Sequence, residues 1–398
     1  MMPADLETDA ARLREAMVKA LAADGALADP GWRAAVGKVP RHPFVPGFYL
    51  PADERDGQGL TVWEPVTAEA DYGRWLAAAY SDATLITQFD GDETDWKAPA
   101  ARHGGAPTSS STLPSLVVRM WADADVQEGH MVLEIGTGTG YSTALACERF
   151  GSAHVTSIEV DPHRLERAAS ALYSCGYTPT LAVADGMYGY WPESQFDRIV
   201  AACSFRAMPP ALLAQTRPGG KILLTLSGWL YGYARVLLTV AKDGTAEGPL
   251  LGGTVSFMSA RTHAAPAFGN PAHWAAGLPT TARATRHSPK RITAATQEAF
   301  HLRFLAQSAV PDAQMTTNGE TVLLVDVVTG SAAAVAPDGN SWAVREGGPT
   351  NLWERIERVL DAYDAAGAPG PETFTLHVSG GGQHLRHPQI PGLQMPWP

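Results

Sequence analysis

The chain has 398 residues, and its 30 Lys+Arg against 41 Asp+Glu give a formal charge of −11, which excludes a binder of phosphate backbones or anionic membranes. Apolar residues at 45% with charged residues at 18% exclude global disorder. Cys147, Cys175 and Cys203 lack CxxC spacing and no apolar run reaches the ~18 residues of a membrane span, so disulfide, zinc and transmembrane classes fall away and a soluble, reduced, cytoplasmic protein is expected.

Leu6, Leu13, Met17, Val18 and Leu21 recur at helical spacing and predict a helix over 5–24, ended by Gly25. The run Val39-Pro-Arg-His-Pro-Phe-Val-Pro46 is too broken by proline for a regular element. Residues 50–108 read as mixed and irregular, with the acidic tract Asp90–Asp95 as a solvated loop. A short helix follows at 113–123. Strands and helices then alternate: strand 131–135, helix 141–150, strand 154–159, helix 162–174, strand 180–184, strand 196–202, helix 209–216 and strand 221–226. That alternation means an α/β fold with a parallel sheet covered on both faces.

Two strands joined at Lys242-Asp-Gly244, over 233–240 and 253–258, close a first domain at residues 1–264. The remainder, 265–398, reads as loop to about 289 and then a strand at 321–328. A further strand segment at 332–344 surrounds the turn Asp338-Gly339. Asn351 caps a helix with Leu352, Ile356, Val359, Leu360 and Tyr363 on one face, and a last strand covers 373–378. These make a small C-terminal α+β domain. The histidines have no metal-ligand spacing, so no metal is expected, and the tryptophans, Trp191 included, are assigned to packing.

The most specific signal is Val132-Leu-Glu-Ile-Gly-Thr-Gly-Thr-Gly140, a strand running into a helix. Glycines 136, 138 and 140 permit a tight turn and close approach of a ligand, above the free N–H groups of the helix start. A dinucleotide GxGxxG would need glycine at 141, where Tyr141 stands. The E-x-G-x-G-x-G spacing instead resembles the first motif of class I S-adenosylmethionine-dependent methyltransferases, which have a Rossmann-like sheet. This resemblance implies S-adenosyl-L-methionine as cofactor and a cofactor core over 126–228. Glu159, ending the next strand, is placed to accept both ribose hydroxyls. Asp185-Gly186, ending the third strand, is placed to read the adenine amino group. The implied cofactor set is Glu134, Gly136, Thr137, Gly138, Gly140, Tyr141, Ser142, Glu159, Val160, Asp185 and Gly186.

Within those methyltransferases, residues 10–260 resemble the protein L-isoaspartate O-methyltransferases. The likeness rests on Val39-Pro-Arg…Phe44-Val-Pro46, Leu133 to Tyr141, Asp185-Gly186, Phe196-Asp197, Arg217-Pro-Gly-Gly220 and Val255-Ser-Phe-Met258. The first of these is the distinguishing segment. Family members carry Thr-Ile-Ser-x-Pro before the cofactor strand, its Ser hydroxyl contacting the reacting carboxylate. Here Ser110-Ser-Thr-Leu-Pro114 falls on it, so the resemblance implies a catalytic hydroxyl among Ser110, Ser111 and Thr112, with Thr112 in the serine's place. In the loop after the fourth strand, Ser204 and Arg206 are candidate substrate contacts. Arg206 either pairs with a substrate carboxylate through its planar fork or lies solvated at the surface.

The resemblance implies methylation of a peptide Asp or isoAsp side chain, the ester then closing to a succinimide. The extra C-terminal domain, expected to recognise peptide, makes the layout similar to long variants that tailor ribosomally made macrocyclic peptides (graspetides and lanthipeptides). The alternatives are general repair of isoaspartyl damage and a non-catalytic peptide-binding scaffold.

Overall fold

The computed structural model describes residues 3–390 and 395–397. The chain forms two compact units, residues 1–202 with 214–220, and residues 203–213 with 221–398.

The first unit begins with α1 (Pro3–Ala23) and α2 (Pro30–Lys38). Asp29 caps α2 by accepting the Trp32 N–H at 3.0 Å, and Pro30 opens the helix. The proline-rich run folds into a single 3₁₀ turn, His42–Phe44, whose flanks Arg41 and Val45 are fully buried. Next come β1 (Gly47–Arg55), β2 (Thr61–Thr67), α3 (Tyr72–Ala79), β3 (Leu85–Phe89), β4 (Arg102–His103) and β5 (Pro107–Ser111). The strands pair antiparallel in the order β4-β2-β1-β3-β5. The stretch expected to be irregular is therefore a five-stranded sheet. Its strands evade sequence patterning because Pro51 and Pro65 interrupt β1 and β2, and β5 is Pro-Thr-Ser-Ser-Ser with no apolar alternation.

Helix α4 (Pro114–Asp123) leads into the parallel core: β6 (Val132–Ile135), α5 (Tyr141–Phe150), β7 (Val155–Glu159), α6 (Pro162–Ser174), β8 (Thr180–Val183) and β9 (Phe196–Phe205). β6 lies between β9 and β7, with β8 beyond β7, all parallel. β6 is buried along its whole length, which is why it reads as an unbroken apolar run. Asp161 starts α6 by accepting the His163 and Arg164 N–H groups, with Pro162 at the first helical position.

In the second unit, the helix expected at 209–216 is a short α7 (Pro210–Ala214), followed by β10 (Thr216–Ser227), which starts in the first unit. An antiparallel meander runs through β11 (Tyr233–Val240) and β12 (Ala246–Leu251). The strand expected at 253–258 is thus displaced to 246–251. Segment 253–259 instead runs past Ser204, bridging to it at Ser259. The loop expected over 263–289 holds α8 (Pro271–Ala276) and β13 (Arg283–Thr285).

After α9 (Lys290–Thr293) and α10 (Gln297–Ala309) come β14 (Ala313–Asn318), β15 (Thr321–Asp326), β16 (Ser331–Asp338) and β17 (Ser341–Gly347). They form an antiparallel sheet of order β13-β17-β16-β15-β14. Helix α11 (Leu352–Ala365) buries Leu352, Ile356, Val359, Leu360 and Tyr363 as the spacing requires. Asn351 stands at its N-cap, yet its amide donates to Glu354, and Glu346 accepts the Trp353 N–H at 2.6 Å in its stead. Finally β18 (Thr375–Ser379), β19 (Gly382–Arg386) and β20 (Met395–Trp397) extend the meander from β12. That pairing of β12 with β18 puts the expected boundary near residue 264 inside the second unit.

Candidate active site

The strand-to-helix turn after β6 is built on positive backbone angles: φ is +94° at Gly136, +55° at Gly138 and +90° at Gly140. A Cβ at Gly138 would stand 3.4 Å from the carbonyl oxygen of Ser110. Glycine is favoured there by the left-handed angle, and the Ser110 carbonyl passes at van der Waals distance from where a Cβ would stand. The Gly136 and Thr137 N–H groups donate to the Ile158 carbonyl, tying the turn to β7.

Beneath the turn Glu134 is buried and accepts hydroxyl protons from Ser142 (2.5 Å), Thr143 (2.5 Å) and Ser157 (2.7 Å). Burial holds its carboxyl above the usual range, although the three hydroxyls oppose this. Ser142 also accepts the Trp121 indole N–H at 3.0 Å, and Thr137 bonds Ser157 at 2.7 Å. Tyr141 is buried with its ring under the Arg41 guanidinium, 5.5 Å from the ring centre. Glu134, Thr137, Tyr141 and Ser142 therefore form the floor of the turn.

The parallel register brings the remaining expected residues to one sheet edge. Glu159 accepts the Gly138 N–H at 2.9 Å and the Asp161 N–H at 3.2 Å, one on each carboxylate oxygen. Each oxygen keeps a second lone pair for a ribose hydroxyl. Val160 beside it is 38% exposed, an apolar surface at the sheet edge. Asp185 and Gly186 follow β8, with the Ala184 N–H bonded to the Glu159 carbonyl and Asp185 accepting the Met187 N–H at 2.9 Å. Glycine turn, two carboxylates and an apolar surface fit an adenosine bearing a charged side chain. Among the described residues no group of three His, Cys, Asp or Glu could hold a metal ion, and no helix is long and apolar enough to cross a membrane.

The three candidate hydroxyls differ. Ser111 is buried, and its oxygen accepts from Arg41 at 3.2 and 3.3 Å. Ser110 and Thr112 are half-buried. Ser204 and Arg206 lie in the second unit. Ser204 is fully buried and donates to the Phe257 carbonyl at 3.0 Å. Arg206 is not solvated: it bonds Asp312 at 2.7 Å and lies 3.8 Å over the Trp229 ring.

Sequence reasoning missed Arg41 and Glu93. Arg41 is an arginine inside an apolar, proline-rich run without a neighbouring acid, which is the signal of a guanidinium held by backbone carbonyls. Glu93, in the tract expected to be solvated, grips Arg164 with both oxygens at 2.8 and 2.9 Å and reaches Arg167 at 2.9 Å. Gln88 of β3 donates to Asp161 at 2.9 Å. A cleft of about 590 Å³ opens beside Gly138 and Thr139, walled by Phe44, Trp96, Thr87 and Arg164. Trp191, assigned to packing, is 66% exposed.

Residues 79–247 match the protein-family model for protein-L-isoaspartate(D-aspartate) O-methyltransferase. A protein-L-isoaspartate O-methyltransferase of Methanopyrus kandleri is 31% identical over 216 residues, 54% of this chain and 76% of that protein. One from Methanosarcina mazei is 28% identical over 243 residues, 61% of this chain and 79% of that protein. The match to the Ignicoccus hospitalis protein, 38% identical over 113 residues, spans 54% of that protein. A solved protein-L-isoaspartate O-methyltransferase structure superposes with TM-score 0.52 at 19% identity, covering 94% of this chain and 99% of its own. The fold is that of the class I methyltransferases, and the chain belongs to the protein-L-isoaspartate O-methyltransferase family, whose methyl donor is S-adenosyl-L-methionine.

Proposed function

We propose that this protein is a carboxyl O-methyltransferase that esterifies an aspartyl or isoaspartyl side chain of a peptide. The observation that supports the reading is that the Ser110 carbonyl lies beside Gly138, which brings the Ser110–Thr112 segment to the glycine turn. When bound, S-adenosyl-L-methionine supplies a methyl group on a positively charged sulfur. Glu159 accepts the ribose hydroxyls, Asp185 and Gly186 meet the base, and Gly136–Gly140 admits the methionine part. Because a carboxylate is already ionised at pH 7, the chain needs no general base for it. The Thr112 hydroxyl donates to one carboxylate oxygen and aims the other at the methyl carbon, so the work is alignment near ~3 Å and exclusion of water. The ester is a better electrophile than the free carboxylate, and the following backbone nitrogen closes on it, the acyl C–O bond breaking and methanol leaving with the amide proton, to give a succinimide. That account explains why no Ser-His-Asp set or acid–base pair is needed. The test is transfer of labelled methyl from the donor to isoaspartyl and aspartyl peptides, each in linear and macrocyclic form. No transfer to any of them overturns the reading.

The substrate of our preferred reading is a conformationally constrained precursor peptide, held in part by the second unit. It expects methylation of the macrocycle and none of its linear form. The names of the Methanopyrus and Methanosarcina relatives favour a second reading, general repair of isoaspartyl damage. Turnover of arbitrary isoaspartyl peptides, with none of normal aspartyl peptides, would select it.

A further inference from the structure

Arg41 is fully buried, and its guanidinium bonds backbone carbonyls and the Ser111 hydroxyl. Its guanidinium donates to the carbonyls of Ala79 (3.4 Å), Ser81 (2.9 Å) and Ala83 (2.9 Å) on one side. On the other it donates to the Ser111 carbonyl (3.1 Å), the Ser111 hydroxyl (3.2 Å) and the Thr112 carbonyl (3.1 Å). Nη1 faces Ala79 and Ser81, Nε faces the Ser111 hydroxyl, and the two Nη2 hydrogens are shared among the Ala83, Ser111 and Thr112 acceptors.

The two carbonyls of this second group belong to the two peptide planes that flank Thr112. Each plane is rigid, so pinning both fixes φ and ψ of Thr112 and thereby the direction of its Cα–Cβ bond. The β-branched side chain is restricted at χ1, so that direction limits the hydroxyl to a small set of positions. On the far side of the second plane, the Leu113 N–H donates to the Thr84 hydroxyl at 3.3 Å, from the same 79–84 segment. The next turn is held likewise, Ser115 N–H donating to Asp82 at 2.9 Å. Arg41 itself cannot swing, since the Tyr141 ring backs its guanidinium.

We infer that Arg41 is a positioning residue that aims the Thr112 hydroxyl by clamping the peptide planes on either side of it. This rests on the reading above for the reaction, but the clamp itself is a property of the protein alone. Lysine at 41 keeps the charge but has one nitrogen, so it loses the Nε and Nη1 bonds to the Ser111 hydroxyl and to Ala79 and Ser81 that hold Nη2 against the Ser111 and Thr112 carbonyls.

The experiment compares wild type, Arg41→Lys, Thr112→Ala and the double variant, with an isoaspartyl peptide and labelled donor. R41K is expected to lower kcat by roughly 100-fold while the donor dissociation constant stays within about twofold. In the T112A background the same change is expected to cost nothing further, since the hydroxyl it aims is gone. Hydrogen exchange in segment 108–116 is expected to quicken in R41K, with 132–145 unchanged. Losses that multiply in the double variant, or a segment 108–116 as protected as in wild type, would overturn the inference. Should R41K not fold, Ser111→Ala withdraws one acceptor and gives a milder form of the same pattern. If wild type methylates no peptide, the functional reading fails, and the exchange comparison still decides the clamp.

Discussion

Two regions of the first unit meet at the glycine turn and were encoded in opposite ways. Strands β6 and β7 are short runs buried almost throughout, each leading to a turn or helix cap that carries a functional residue. The sheet β1–β5 has prolines inside strands, a strand of small hydroxyl residues, and a burial pattern in β1 that fades from buried to exposed. On the proposed function, the first region supplies the cofactor edge and the second supplies the hydroxyl-bearing segment 110–112. A parallel strand covered on both faces announces itself through composition. An antiparallel strand is specified by its cross-strand partners, which its own residues do not record.

The largest expected effect breaks the junction itself. Valine at 138 imposes a left-handed backbone cost of about 1–2 kcal/mol and crowds the Ser110 carbonyl, so Gly138→Val should weaken donor binding by at least about 100-fold in calorimetry. Next, if Thr112 donates to the reacting carboxylate as proposed, Thr112→Ala should lower kcat by up to about 100-fold, with T112S close to wild type. An unchanged kcat would return the role to Ser110. Glu93→Gln loosens the grip of the second region on α6. Arg164 is only 5% exposed, so a loss of about 2 kcal/mol in denaturant unfolding is expected.

A pH experiment sharpens the contrast from the cofactor side. Burial raises the Glu134 carboxyl in the folded state, so the unfolded chain sheds that proton first. This group therefore subtracts stability as pH rises from the ordinary carboxylate value through the raised one. Glu134→Gln should unfold like wild type at pH 4 and at a higher temperature at pH 7, in scans without donor. The smallest effect is for Asp92→Asn. That carboxylate is 65% exposed and 3.4 Å from Arg102, so stability should move by no more than about 0.5 kcal/mol.

Glu93 and Asp92 also show where reading the acidic tract failed. Both look like members of a solvated charge run, and for Asp92 that holds. Glu93 differs because α6 presents Arg164 and Arg167 to it, a fact about packing. The C-terminal extension is similar. Its helix α11 could be read from five apolar positions, but the pairing of β12 with β18, which joins strands 246–251 to 375–379, could not.

The sequence by itself determined the parallel strand–turn–helix core, the residues on its ligand edge and the family, because burial on both faces and glycine's backbone freedom leave local marks. Only the tertiary structure decided that residues 47–111 form a sheet, that Ser111 is bound by Arg41, and that Arg41 flanks Thr112 with two fixed peptide planes. Those facts depend on carbonyls and partners brought together across some seventy residues, and no local pattern of side chains records which backbone groups a buried guanidinium will find.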